Sequence, residues 1–174
     1  MIDYVLDKVA PYAANTLISV NRNLRAYEYP KLQLLKDEAG SSNGPLAGIF
    51  SAMLWCQKNA PEVRHLACAP ADVPYFAEET YRLLITAAIE NKSHISWVAH
   101  DGQAQPLFSV WPIELIPQVK QALSSGIYGV KILIQRLPNT VVELRRSNDL
   151  DFRNINTQEE LNLLELAASA RESL

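Results

Sequence analysis

Apolar positions along the chain alternate between short strand-like runs and longer stretches with the helical period of about 3.6 residues. Ile2, Val5, Leu6 and Val9 recur at helical spacing, which predicts that the chain opens on an amphipathic helix. Shorter apolar runs predict strands at 17–20, 32–35, 66–69, 95–99, 107–111 and 141–144. Further helices are predicted at 45–59, 76–91, 114–124, 128–136 and 158–171. Strands alternating with helices predict an α/β fold with a largely parallel sheet, in which 95–111 is an antiparallel insertion.

Three polar segments lie where the chain passes from a predicted strand toward a predicted helix. They are residues 43–49, 70–74 and 152–157. Ligands of open α/β sheets bind outside the carboxyl ends of the strands, where such segments meet. The pattern therefore predicts a binding pocket on one edge of the sheet.

Two carboxylates follow predicted strands on that edge, Asp37 and Asp72. Together they could hold Mg²⁺, which binds one or two carboxylates along with water and substrate phosphates. The structural alternative is that Asp72 caps the next helix and Asp37 begins a turn. The residues alone leave both interpretations open.

Glycines bracket the start of the predicted helix at 45–59. Gly44 and Gly48 flank Pro45, whose missing N–H costs nothing at the first helical position. Backbone N–H groups at a helix start can meet a phosphate or a base edge. The alternative role for both glycines is tight turning and close helix packing.

Asparagines follow the first and last predicted strands, namely Asn21, Asn154 and Asn156. Each could hydrogen-bond a ligand, although asparagine is also a common turn residue. Thr157 is a suitable helix N-cap, since Glu160 follows three residues later in the spacing of a capping box.

Composition narrows the function classes. The length of 174 residues suits one domain, and the net charge of −3 argues against a non-specific nucleic-acid binder. The longest apolar run, 46–56, is too short to cross a bilayer, and no block of like charges favours a membrane surface. Cys56 and Cys68 have no metal-site or disulfide spacing, which favours a reducing cytoplasm. The six glycines form neither a dinucleotide-binding fingerprint nor a P-loop.

An ordered set of motifs runs through the chain. The set resembles the molybdenum cofactor guanylyltransferase (MobA) family from the first helix to the last. The motifs are Ile18-Ser19-Val20-Asn21-Arg22-Asn23, Asp37, Gly44-Pro45-Leu46-Ala47-Gly48-Ile49, Pro70-Ala71-Asp72-Val73-Pro74, Gln105-Pro106-Leu107-Phe108 and Phe152-Arg153-Asn154-Ile155-Asn156-Thr157.

The resemblance implies a Rossmann-like nucleoside-diphospho-sugar transferase fold, with helices on both faces of the sheet. It implies transfer of GMP from GTP to molybdopterin, with Mg²⁺ as cofactor and pyrophosphate as product. Molybdoenzyme-maturation proteins are further implied partners. By motif position, Asp72 is the catalytic and metal-binding residue, and Asn154 and Asn156 belong to the pterin side. The positions implied to bind nucleotide are Asn21, Asp37, Gly44, Pro45, Leu46, Gly48 and Asp72.

One part of the family pattern has no counterpart in these residues. The family opens on a strand and a Gly-Gly…Lys phosphate loop, so we expect residues 1–174 to form one domain without them. Strands 17–20 and 66–69 are then expected to lose one pairing partner, so that the chain is marginally stable, dimerises through the gap or rearranges to close it. Weak GTP binding is also expected, and activity of residues 1–174 alone stays open. The alternatives are a non-catalytic binding or scaffold relative, and a transferase that uses another base such as CTP.

Overall fold

A computed structural model describes residues 2–20, 32–36, 44–92, 94–145, 151–157 and 159–162. The helices are α1 (Ile2–Val9), α2 (Gly44–Asn59), α3 (Thr80–Glu90), α4 (Ile116–Ser124) and α5 (Val130–Ile134). The strands are β1 (Leu17–Val20), β2 (Gln33–Lys36), β3 (His65–Cys68), β4 (Ile95–His100), β5 (Gln103–Pro112) and β6 (Asn139–Leu144). Short 3-10 helices follow α1 at Ala10–Tyr12 and β5 at Ile113–Leu115. None of the described helices is long and apolar enough to cross a membrane.

The strands form two sheets within the described residues. One has the order β3-β5-β4-β6, and the other pairs β1 with β2 in parallel. Strand β5 runs antiparallel to both β3 and β4, while β4 and β6 are parallel. Strands β3, β4 and β6 therefore share one direction and β5 alone opposes them. This confirms the predicted mixed sheet, with β4 and β5 as the antiparallel insertion.

Helices cover both faces of the four-stranded sheet. Alternate side chains of β5 therefore pack into two different hydrophobic cores, one on each face. Trp111 packs with apolar residues of α2, α4 and α5. Phe108 and Val110, which point the other way, pack with residues of α1 and α3. This arrangement confirms the α/β fold with helices on both faces.

The predicted start of the third helix, at residue 76, is wrong. Helix α3 begins at Thr80, whose N–H donates to the Ala77 carbonyl at 3.0 Å. In a helix that included Phe76, the Phe76 carbonyl would accept a hydrogen bond from a backbone N–H of the next turn. In the structure this oxygen instead accepts a hydrogen bond from Lys8 Nζ at 2.8 Å. Tertiary contacts thus hold residues 73–79 in an irregular path, with Phe76 buried in the core.

Two other predicted helices differ from the structure in where they begin or end. The helix predicted at 128–136 is only Val130–Ile134, because Gly129 before it has an extended backbone (φ −82°, ψ 119°). Of the helix predicted at 158–171, residues 159–162 are helical, and the remainder lies outside the described residues.

Candidate functional site

Asp72 lies in the turn that follows β3 and joins two of the predicted polar segments. Its backbone carbonyl accepts a hydrogen bond from the Ile155 N–H at 2.8 Å. Its side-chain Oδ2 accepts one from Asn154 Nδ2 at 3.3 Å. Asp72 is half-buried, whereas Asn154 is exposed. The fold therefore brings the predicted metal residue and a predicted pterin residue, 82 positions apart, into direct contact.

The helix-cap interpretation of Asp72 is wrong. Helix α3 begins only at Thr80, and the residue at its N-cap position is Glu79, which makes no side-chain capping bond. The Asp72 carboxylate is consequently not tied to the start of that helix.

The segment after Asn154 begins a helix through a capping box. Glu160 Oε2 accepts hydrogen bonds from the backbone N–H groups of Asn156 at 2.8 Å and Thr157 at 3.1 Å. In return, the Glu160 N–H donates to Thr157 Oγ1 at 3.1 Å, as the sequence predicts. The N–H groups of Asn156 and Thr157 hold the pKa of Glu160 below its ordinary value. The capping box fixes the backbone of Asn156, which is exposed at the surface.

Phe152 anchors the segment 152–157, called the 152–157 corner below, to the core. The sequence analysis missed this role. Its N–H donates to the Tyr75 carbonyl at 2.9 Å, and its ring packs edge-on against Phe108 at a centroid distance of 4.9 Å. On another side the ring lies 4.7 Å from that of His100. Phe152 has a φ of 59°, a left-handed conformation that is strained for a bulky residue and needs strong packing to persist. The available clue was that two apolar residues, Phe152 and Ile155, occur within a mostly polar strand-to-helix segment.

The start of α2 contributes the second part of the site. Gly44 has a φ of +64°, and a Cβ there would lie 3.4 Å from the Tyr128 carbonyl oxygen. The positive φ therefore favours glycine at this position, whereas a Cβ would make only an ordinary contact. Pro45 is exposed, whereas the Leu46 side chain is fully buried in the core. Gly48 is buried inside the helix.

A cavity of about 530 Å³ brings these parts together. Gly44, Pro45, Gly48 and Asp72 all line it, and Asp72 is the one carboxylate among its described lining residues. The predicted residues Asn21 and Asp37 lie outside the described residues, directly after β1 and β2. Three of the predicted nucleotide positions therefore share one cavity with the predicted metal residue.

The potential metal ligands at this cavity are compatible with Mg²⁺. No group of three or more His, Cys, Asp or Glu side chains that could hold a metal occurs in the described part of the chain. Mg²⁺ does not need such a cage, because it commonly uses one or two carboxylates and completes its shell with water and phosphate oxygens. Asp72 provides one carboxylate of that kind.

The sequence family confirms the resemblance. Residues 1–141 match the family described as the MobA-like NTP transferase domain. The chain belongs to this nucleotidyltransferase family. A relative from Ralstonia pickettii, named molybdenum cofactor guanylyltransferase, is 30% identical over 171 residues, covering 94% of this chain and 81% of its own. A relative of the same name from Rhodopseudomonas palustris is 26% identical, covering 90% of this chain and 75% of its own.

Solved structures show the same fold. The molybdopterin-guanine dinucleotide biosynthesis protein A of Archaeoglobus fulgidus aligns with a TM-score of 0.69 and 22% identity, over 97% of this chain and 85% of its own. The 2-C-methyl-D-erythritol 4-phosphate cytidylyltransferase of Thermus thermophilus aligns with a TM-score of 0.65 and 15% identity, over 97% and 88%. The MobA-like chain therefore has the nucleotidyltransferase fold that the sequence predicts.

Proposed function

We propose that this protein transfers GMP from GTP to molybdopterin and releases pyrophosphate. The observation that carries the proposal is the hydrogen bond from Asn154 to Asp72, at a cavity that the start of α2 also lines. Relatives named molybdenum cofactor guanylyltransferase, which align with at least 90% of the chain, support this choice of substrates. In the reaction, a phosphate oxygen of the pterin attacks the α-phosphorus of GTP, and the bond to the β-phosphate breaks.

Each part of the site has a proposed role. Asp72 holds Mg²⁺, which neutralises phosphate charge when bound. Asn154 donates to the Asp72 carboxylate and keeps it in one orientation, while Asn154 and Asn156 together contact the pterin.

The nucleotide lies against the start of α2. The first N–H groups of a helix have no partner within it, and the helix dipole favours an anion there. Gly44 and Gly48 carry no side chain and permit a close approach to that backbone, Pro45 lines the same cavity, and Asn21 and Asp37 complete the nucleotide contacts. Leu46 contributes its backbone, because its side chain packs in the core.

The experiment supplies the purified protein with molybdopterin, Mg²⁺ and either GTP or CTP, and follows dinucleotide and pyrophosphate. Millimolar nucleotide is used, because the chain contains no glycine-rich phosphate loop. Product from GTP in preference to CTP supports the proposal. Preferential use of CTP contradicts the choice of base, and failure to bind molybdopterin contradicts the function itself.

A cytoplasmic location is part of the proposal. Both cysteines, Cys56 and Cys68, are free in the structure. Free thiols are typical of reducing compartments.

A further inference from the structure

Two backbone hydrogen bonds hold the 152–157 corner beside the irregular stretch of chain that contains Asp72. The Ile155 N–H donates to the Asp72 carbonyl at 2.8 Å, and the Phe152 N–H donates to the Tyr75 carbonyl at 2.9 Å. Between these two bonds, Asn154 Nδ2 donates to Asp72 Oδ2 at 3.3 Å. The contact between the two side chains therefore depends on where this stretch of chain is held.

Lys8 of α1 binds the next carbonyl along the same stretch. Its Nζ donates to the Phe76 carbonyl at 2.8 Å. The carbonyls of Tyr75 and Phe76 thus accept hydrogen bonds from two distant parts of the chain, the 152–157 corner and α1. Residues 73–79 belong to no helix or strand, so contacts of this kind fix their path. Both bonds use backbone carbonyls and do not require a particular side chain at position 76.

The charge of Lys8 acts on the 152–157 corner as well. Asp151, which directly precedes Phe152, is only 7% exposed, and a buried carboxylate is costly unless an opposite charge lies near it. Burial lowers the pKa of the half-buried Lys8, while the negative charges of Glu78 and Asp151 raise it. The ammonium group is therefore attracted to the start of the corner and bonded to the stretch of chain beside it.

We propose that Lys8 is a positioning residue for the pterin side of the site, because it holds the Phe76 carbonyl and attracts Asp151 and so keeps Asn154 against Asp72. Lys8 is not among the residues that line the cavity, so it acts through the 152–157 corner rather than on a substrate. The identity of the substrate rests on the proposed function, whereas the positioning by Lys8 can be measured without turnover.

Three variants separate the ammonium group from the rest of the side chain. Lys8→Met keeps an unbranched apolar stem but can neither donate to the carbonyl nor attract Asp151. Lys8→Arg keeps the positive charge and a donor, and should behave like the wild type. Lys58→Met is the matched control, because Lys58 is exposed in the last turn of α2.

Amide hydrogen exchange measures how firmly the corner is held. In Lys8→Met, the N–H groups of Phe152 and Ile155 should exchange about tenfold faster, because their bonds to the neighbouring stretch open more often. The N–H of Leu133 in α5 should exchange at the wild-type rate, which excludes general destabilisation. Lys8→Arg and Lys58→Met should leave all three rates unchanged.

Steady-state kinetics measure the consequence for the substrates. Lys8→Met should raise the KM for molybdopterin severalfold and leave the KM for GTP unchanged, because Lys8 does not hold the start of α2. In an Asn154→Ala background the same substitution should cause no further rise, since the contact that Lys8 positions is already absent. Lys8→Arg should retain the wild-type KM for molybdopterin.

Two results would overturn the proposal. The first is unchanged exchange at Phe152 and Ile155 in Lys8→Met, or equal acceleration at Leu133. The second is a KM for molybdopterin that Lys8→Met raises by the same factor with and without Asn154, because Lys8 would then act elsewhere. A protein that binds no molybdopterin would contradict the proposed function alone, since the exchange rates would still decide whether Lys8 holds the corner.

Discussion

At the scale of single residues, the site depends on two contacts that only the fold reveals. The sequence predicts Asp72 as a metal residue and Asn154 as a pterin residue, yet nothing in their spacing shows that the two side chains meet. Their contact requires the turn after β3 and the 152–157 corner to lie side by side, through a hydrogen bond from Ile155 N–H to the Asp72 carbonyl. Long-range contacts of this kind have no local pattern in the sequence.

Replacing Phe152 with alanine should loosen the corner that presents Asn154. The ring is buried among Phe108 and His100, so its loss should lower the free energy of unfolding by about 3–5 kcal/mol. We also expect a severalfold increase in the KM for molybdopterin. The control is Phe76→Ala, because Phe76 lies in the same core. This variant should lower the free energy of unfolding by a similar amount but leave the KM for molybdopterin unchanged. Both KM values are measured well below the melting temperatures of the variants. Equal effects of both variants on KM would show that Phe152 has no specific positioning role.

At the scale of elements, β1 was predicted to the residue, whereas β5 begins four residues before its predicted start and α3 begins four residues after its predicted start. The apolar run at 17–20 is β1 to the residue, because Leu17, Ile18 and Val20 are buried or half-buried and only Ser19 between them is exposed. The start of α3 could not be predicted, since the carbonyls of residues 75, 76 and 78 bond to distant groups on Phe152, Lys8 and Tyr12. Local propensity is weaker than such tertiary contacts.

The helix that begins after Thr157 should have pH-dependent stability through Glu160. Hydrogen bonds from two backbone N–H groups lower the pKa of Glu160 in the folded state below its ordinary value of 4.5. Their stabilising contribution is therefore present above that value and is lost as the pH falls through the lower, folded pKa. Glu160→Gln should accelerate amide hydrogen exchange at Asn156 and Thr157 at pH 7, with little effect near pH 2.

The neighbouring change Glu159→Gln is the matched control, because Glu159 is exposed and forms no part of the capping box. Equal acceleration by both variants, or an effect of Glu160→Gln that persists at low pH, would contradict the capping account.

At the scale of the whole molecule, the sequence analysis located the strands that border the gap. It expected the strands at 17–20 and 66–69 to lose one pairing partner each, and residues of both β1 and β3 line the cavity. The volume of this cavity, and its cover by α1 and α2 on opposite faces, follow from packing and could not be predicted from the pattern of apolar residues. Marginal stability and self-association stay predictions.

Filling the gap should stabilise the chain by itself. Ala52→Leu adds three carbon atoms to an apolar cavity, at about 0.8 kcal/mol for each buried CH₂, so the free energy of unfolding should rise by about 2 kcal/mol. Ala88→Leu adds the same atoms to a filled core and should lower it by about 1–3 kcal/mol. Denaturant unfolding measures both, and destabilisation by Ala52→Leu would indicate that the space beside β1 is not open in solution.

The most direct test of the central claim is the rate of guanylyl transfer in Asp72→Asn beside that in Asp7→Asn. Asn removes the charge of a metal ligand while keeping its shape, so transfer should fall by roughly a hundredfold or more with the melting temperature nearly unchanged. Asp7 is exposed on α1 and is not among the cavity-lining residues, so Asp7→Asn should transfer at the wild-type rate. Near-wild-type transfer by Asp72→Asn would contradict the assignment of the site and of its metal.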